Sequence, residues 1–200
     1  ATLVGMLTLV RASLAMADAF RDHAPRIPPE AWTYAIPFAA GGMLVRFTLN
    51  SETALVFAAV YAPLVGVLTG SVPLALTALV GSTVAADRVA HATARSALFR
   101  AGLHAAAAQS AVVLGFALFG GRLSGNETPA LVVASFASGA ILTPMLVMAG
   151  APLVEAVFGY VTDTKLLELA NLNHPALKEL IVRAPGTYHH SIIIGSLVEA

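Results

Sequence analysis

The sequence predicts an all-α fold, a polytopic transmembrane helix bundle that runs on into a smaller helical unit on the cytoplasmic side. Three observations carry this. Of 200 residues, 58% are hydrophobic and only 11% charged, with mean hydropathy +0.80, whereas an ordinary soluble domain carries about 25% charged residues. Six apolar stretches follow one another, each near the ~20 residues that cross a hydrocarbon core as helix. After Tyr160 the composition changes, and charges return at helical spacing.

The stretches run Thr2 to Ala19, Trp32 to Leu49, Thr53 to Gly70, Val72 to Ala86, Ala101 to Gly120 and Pro129 to Val157. The fourth is short, and the last is long, with Pro144 and Pro152 expected to break it. Six apolar runs separated by small polar loops are not the pattern of buried soluble helices. Pro37, Pro63, Pro73, Pro144 and Pro152 can kink or break helices, and freed carbonyls then need protein partners. Pocket, hinge and plain packing irregularity all remain open at each. Small residues such as Gly41-Gly42, the run from Ser135 to Ala140 and Ala105 to Ala108 allow close backbone approach, the usual means of packing helices in lipid. They make a homodimer plausible on the same grounds.

Orientation follows from the loops. Arg88, His91, Arg95 and Arg100 crowd the fourth connection, while Asp22 and Glu30 offset Arg21 and Arg26, and Glu127 offsets Arg122. The positive-inside rule places the fourth loop in the cytoplasm. Six crossings then return the tail, with Lys165, Lys178 and Arg183, to that same side. Arg46 falls near a cytoplasmic end and agrees.

Eleven Lys and Arg balance eleven Asp and Glu, which gives no reason to expect a nucleic-acid polymer as partner. No cysteine is present, excluding a disulfide framework and thiolate metal ligands. The chain opens inside an apolar segment without Met or a charged leader, as expected of a piece cut at both ends. A secondary transporter would call for polar groups near mid-depth and an inverted repeat; neither is evident. Arg11 either pairs with Asp18 along one face or snorkels.

The tail reads as helices. "VTDTKLLELANLNHPALKEL" places charges beside Leu166, Leu167, Leu169 and Leu172; Asn173-His174-Pro175 then gives a stop and a start, Pro suiting a first helical turn. Ala184-Pro185-Gly186 makes a turn, and Thr187 is a candidate N-cap for a last helix. On a 3.6-residue period His190 has Ile193, Ile194, Leu197 and Val198 three, four, seven and eight positions on, at the centre of an apolar face, with His189 at its edge. A histidine so placed is more often a core residue than a ligand. The period nonetheless marks His190 as the one of the pair that would be the ligand.

"TDTKLLELANLNHPALKELIVRAPGTYHHS" resembles the junction of the seven-transmembrane HD proteins, bacterial phosphodiesterases of the PgpH type. Their membrane domain leads through a Leu-Leu-Glu-Leu segment and an Ala-Pro-Gly-Thr-Tyr-His-His-Ser turn into a cytoplasmic HD domain. The likeness is dense over about thirty residues. It continues more weakly through Pro152-Leu153-Val154-Glu155 and Phe158, Arg100-Ala101-Gly102-Leu103, and Ile36-Pro37 before Met43-Leu44-Val45. The resemblance implies domains at 1–160 (six of seven membrane helices), 161–183 (cytoplasmic linker helices) and 184–200 (the start of an HD phosphohydrolase domain). It also implies that His190 is the first metal ligand and that the full-length protein hydrolyses cyclic di-AMP with a divalent metal pair, iron or manganese. Imidazole and carboxylate ligands suit such ions, and a metal pair can hold a hydroxide in line with a phosphodiester. The remaining ligands are expected beyond Ala200, so residues 1–200 alone are expected to be inactive, with no metal bound.

Localisation follows as the bacterial inner membrane, with the lipid bilayer and a cyclic dinucleotide as partners and the C-terminal tail cytoplasmic. Glu155 stands either as an interfacial anchor or, with Pro152 and Pro175, as part of the coupling between membrane and HD domains. Lys165 and Glu168 could hold that link at the membrane surface. The alternative to an enzyme is a membrane receptor or scaffold with a degenerate HD module.

Overall fold

In lipid every backbone N–H and C=O must find a partner within the protein, and helix satisfies this locally. The computed structural model describes residues 2–21, 27–89, 95–120, 127–158 and 175–199 and is helical nearly throughout them. It divides into two units, Ala1–Tyr160 and Val161–Ala200. The first contains α1 (Thr2–Arg21), α2 (Pro29–Tyr34), α3 (Ala40–Thr48), α4 (Ser51–Thr69), α5 (Val72–Arg88), α6 (Arg95–Phe119), α7 (Glu127–Ala137), a π-helical turn (Ser138–Leu142) and α8 (Thr143–Phe158). The second contains α9 (Pro175–Arg183) and α10 (Pro185–Glu199).

Four helical runs are long and apolar enough to cross a membrane: Thr2–Ala19, Ser51–Thr69, Ser96–Phe119 and Glu127–Val154. The 17 residues of α5 span about 26 Å, a little short of a ~30 Å hydrocarbon core. Helix ends are marked by side chains. Asn50 Oδ1 accepts from the Thr53 N–H at 2.8 Å, and Gly70, at φ +64°, closes the far end of α4 in the left-handed region. Ser71 Oγ accepts from the Leu74 N–H at 3.4 Å to open α5. Pro73 therefore starts α5 rather than kinking it, because an N–H is not required in the first turn.

The second stretch is not one helix, contrary to the sequence expectation. It stops at Tyr34 and restarts at Ala40. Pro37 lacks an N–H and pushes Ile36 away from helical angles. The chain crosses the gap with Phe38 N–H donating to Ile36 O at 2.8 Å and Ala40 N–H to Pro37 O at 3.1 Å. This irregular backbone is deeply buried: Ile36, Phe38, Ala39 and Ala40 are all 2% exposed or less. Hydroxyls from distant helices supply what the helix would have supplied. Ser138 Oγ donates to Ile36 O at 2.7 Å, and Ser82 Oγ donates to Phe38 O at 3.2 Å.

The last stretch, by contrast, is not broken at Pro144 or Pro152. A proline ring clashes with the carbonyl four residues before it. Here the wider π-turn ends at Leu142, two residues before Pro144, an accommodation of the kind such bulges provide. Pro152 lies inside α8 without interrupting it, as Pro63 does in α4.

Packing uses glycine where backbones meet. A Cβ on Gly139, in the π-turn, would fall 2.5 Å from Ala106 Cα, so α6 lies directly on that turn. A Cβ on Gly42 would fall 2.7 Å from both Ser82 Cβ and Ser82 O, which brings α3 onto α5. The core gathers around the broken segment, with Val10, Phe38, Met43, Tyr61, Val65, Ala105 and Val147 fully or almost fully buried.

Candidate functional site: the tail histidines and the membrane exit

The chemistry-bearing residues of the tail lie on α9 and α10. Helix α9 begins at Pro175, where the sequence places a helix start, and Glu179 pairs with Arg183 one turn on at 2.9 Å. Ala184 separates the two helices. Its carbonyl accepts the first bond of α10, from Tyr188 N–H at 3.1 Å. Helix α10 therefore starts at Pro185, and Thr187 falls inside its first turn instead of capping it. The reason is the proline: a fixed φ near −65° and no N–H suit the first helical position, which moves the start three residues upstream.

His189 and His190 both lie in α10 and are both exposed. They differ in their neighbours. The His189 ring meets the Tyr188 ring edge-on at 5.9 Å. The apolar face read from the period is present, but it is uncovered among the described residues: Ile193 is 58% exposed, Leu197 69% and Val198 83%. His190 thus lies on an open apolar face, not in a packed core. Among the described residues no three His, Cys, Asp or Glu side chains converge to hold a metal ion. The described part of the tail by itself does not make a metal site.

At the membrane exit, Pro152 and Glu155 both belong to α8. The side chain of Glu155 lies outside the described residues, as do Tyr160, Lys165, Glu168 and the Leu-rich run between them. The other connection read as functional is partly visible. Arg88 is exposed beside Asp87, 3.5 Å away, and His104 Nδ1 contacts Arg100 O at 2.7 Å, while His91 lies outside the described residues.

The sequence reading missed the polar groups inside the bundle. Tyr61 is fully buried and Gln109 is 1% exposed; the Tyr61 hydroxyl and both ends of the Gln109 amide find no protein partner among the described residues. Gln109 packs on Gly81, three positions beyond Ala106, which itself faces the π-turn. Tyr61 stacks on Phe57 with ring centroids 5.2 Å apart, and Phe57 abuts Gly41 at the start of α3. Their positions amid Ala and Val carried a signal, since a buried amide is costly unless it is hydrogen-bonded.

Residues 1–162 match the protein family described as "7TM receptor with intracellular HD hydrolase". The chain is 30% identical over 175 residues to the cyclic-di-AMP phosphodiesterase PgpH of Bacillus subtilis, covering 84% of this chain and 24% of that protein. It is 55% identical over 49 residues to the PgpH of Listeria monocytogenes, covering 24% of this chain and 7% of that protein. An uncharacterised Synechocystis protein matches over 49 residues at 43% identity. The chain thus spans about a quarter or less of the length of these relatives. No solved structure matches. The family match covers most of the chain, and the apolar helices of its first unit agree with it: this is a multi-pass membrane protein, and it belongs to the family of 7TM receptors with intracellular HD hydrolase.

Proposed function

We propose that these 200 residues are the membrane and coupling portion of a metal-dependent cyclic-di-AMP phosphodiesterase of the bacterial inner membrane. The observation that carries this is the alignment with a cyclic-di-AMP phosphodiesterase along 84% of the chain, through helices of the same membrane family. In this reading the bundle receives a signal and performs no chemistry. His190 is one ligand of a metal pair, and the other ligands come from sequence outside these residues. The pairing of His189 with Tyr188 supports giving the role to His190, whose ring is left on the face that a continuing domain would cover. The tail is cytoplasmic, where the substrate is.

Regulation then has to pass along α8 into the tail. A signal changes hydrolysis only by favouring one of two arrangements of these helices, through a difference in affinity for the two. The segment from Pro152 through Pro175, with Glu155 inside it, is the link.

The test is direct. The purified full-length protein, loaded with manganese or iron, is mixed with cyclic di-AMP and the products are resolved by chromatography. Linear product, formed with metal and not with chelator, is expected. A fully metallated protein that hydrolyses no cyclic dinucleotide would instead make the chain a receptor or scaffold.

A further inference from the structure

From α7 through α8 the chain is one helical run that holds an extra residue. Ser138–Leu142 form a π-helical turn, and such a bulge carries one residue more than an α-helical turn. Every residue of α8 therefore stands one position, about 100° of rotation and about 1.5 Å of rise, from where an unbroken α-helix would put it. The upstream side of the turn is held fast. Ser138 Oγ donates to Ile36 O at 2.7 Å, and a Cβ on Gly139 would lie 2.5 Å from Ala106 Cα. A change of register is thus taken up by α8.

The present register leaves one hydroxyl out. Thr48, Thr69, Thr77 and Thr83 each donate to the carbonyl four residues back, at 2.8 or 2.9 Å. Thr143, the residue after the π-turn, does not: its Oγ1 is buried and has no hydrogen-bond partner among the described residues. The carbonyl four residues before it is that of Gly139, which lies against α6 instead, 2.8 Å from where a Cβ on Gly102 would fall. An unpartnered buried hydroxyl is costly.

The buried face of α8 reads Thr143, Val147 and Ala151, at 0%, 1% and 5% exposure. Closing the π-turn to α-helix moves each residue on by one position, and Leu142, Leu146 and Gly150 then take these three places. The second set is apolar, apolar and small, so it suits the same packing. Leu142, now 42% exposed, replaces the unpartnered hydroxyl, and Thr143 comes to normal helical spacing from Gly139 O. Pro144 opposes the change, because its ring clashes with the carbonyl four residues before it in a regular helix. Pro63 and Pro152 nonetheless lie inside continuous helices of this bundle. Contributions of opposite sign therefore separate the two registers.

We propose that the π-turn is a register switch: α8 has a second packed position, rotated by about 100° and advanced by about 1.5 Å, with Leu142, Leu146 and Gly150 on its buried face. As α8 is the last helix of the first unit, its two registers are two arrangements between which a signal in the bundle selects. That consequence rests on the phosphodiesterase reading, and the switch itself does not.

The experiment uses the full-length protein in native membranes, cleared of other cysteines. Leu44→Cys on α3 is paired with Gly150→Cys or with Ala149→Cys on α8 and treated with a short bifunctional thiol reagent. A Cβ on Gly150 lies 3.6 Å from Leu44 Cδ2 and reports the present register. Ala149, exposed now, takes that place in the second. Pro144→Ala removes the ring that favours the wide turn and should raise the ratio of the Ala149-site to the Gly150-site crosslink about tenfold. Thr143→Val removes the hydroxyl that the second register satisfies and should lower that ratio. Deleting Ala140 closes the turn with α8 in its present place and should leave the Gly150-site crosslink alone. A ratio indifferent to Pro144→Ala, or an Ala149-site crosslink that persists in the deletion, overturns the switch. If Pro144→Ala does not accumulate, Thr143→Val decides, and a ratio that stays or rises refutes the proposal. Pro144→Ala should also change cyclic-di-AMP hydrolysis by about threefold or more; a shifted ratio with unchanged hydrolysis would refute the role in control. The crosslinks require no hydrolysis, so a protein that cleaves no cyclic dinucleotide overturns the phosphodiesterase reading while the register is still read.

Discussion

Replacing Gly42 by alanine probes the contact that holds the broken segment against α5. The added Cβ would lie 2.7 Å from Ser82 Cβ and Ser82 O and 2.9 Å from Ser82 Cα, about 0.7 Å inside an ordinary 3.4 Å contact. The obstructing atoms belong mostly to the α5 backbone, so no side-chain rotation relieves them and the helices must separate. Overpacking of this kind costs about 1–3 kcal/mol. Separation also lengthens the 3.2 Å bond from Ser82 Oγ to Phe38 O, worth about 1 kcal/mol. Against this, alanine favours helix over glycine by about 0.5–1 kcal/mol. The net loss is about 1–3 kcal/mol, and at ~2–4 °C per kcal/mol for a chain of this size the melting temperature in detergent should drop by about 3–10 °C. Gly115 in α6 is the control, because a Cβ there meets nothing within 4 Å. Gly115→Ala should therefore gain about 1–3 °C from helix preference alone. Circular dichroism melts of both variants in the same detergent give the comparison. If Gly42→Ala melts at or above wild type, α3 and α5 are not in backbone contact and the packing described here is wrong.

Two further outcomes follow from orientation and coupling. Single cysteines at Ser96 and Ser124 should react oppositely with an impermeant thiol reagent in intact cells, and equal labelling would refute the assigned topology. A flexible Gly-Ser insertion after Tyr160 in the full-length protein should leave basal hydrolysis intact while abolishing its response to the membrane signal; an unchanged response would move the coupling route elsewhere.

The membrane helices were legible because length and apolarity are properties of a segment, and the fold class needs little else. The break at Pro37 was not. Hydropathy is blind to where a backbone carbonyl finds its partner, and here the partners Ser82 and Ser138 come from 44 and 102 residues away. Pro63 and Pro152 look the same in sequence yet lie inside continuous helices. The difference is set by what neighbouring helices offer. A similar limit applies in the tail, where the helical period located the apolar face around His190 and could not show that among the described residues nothing covers it. Thr187 was misread as a cap because a local preference for threonine competed with the stronger preference of Pro185 for the first helical position. Gln109 and Tyr61 were passed over as incidental polar residues in apolar runs, and their burial emerges only from the packing.

The assignment of His190 is the most exposed part of the functional account, and one measurement tests it: metal content per protomer, read together with cyclic-di-AMP hydrolysis, in full-length His190→Ala and His189→Ala. His190→Ala should lose bound metal and at least a hundredfold in hydrolysis, while His189→Ala, which removes only an edge contact with Tyr188, should keep its metal and most of its activity. Loss of metal in His189→Ala with full retention in His190→Ala would contradict the account.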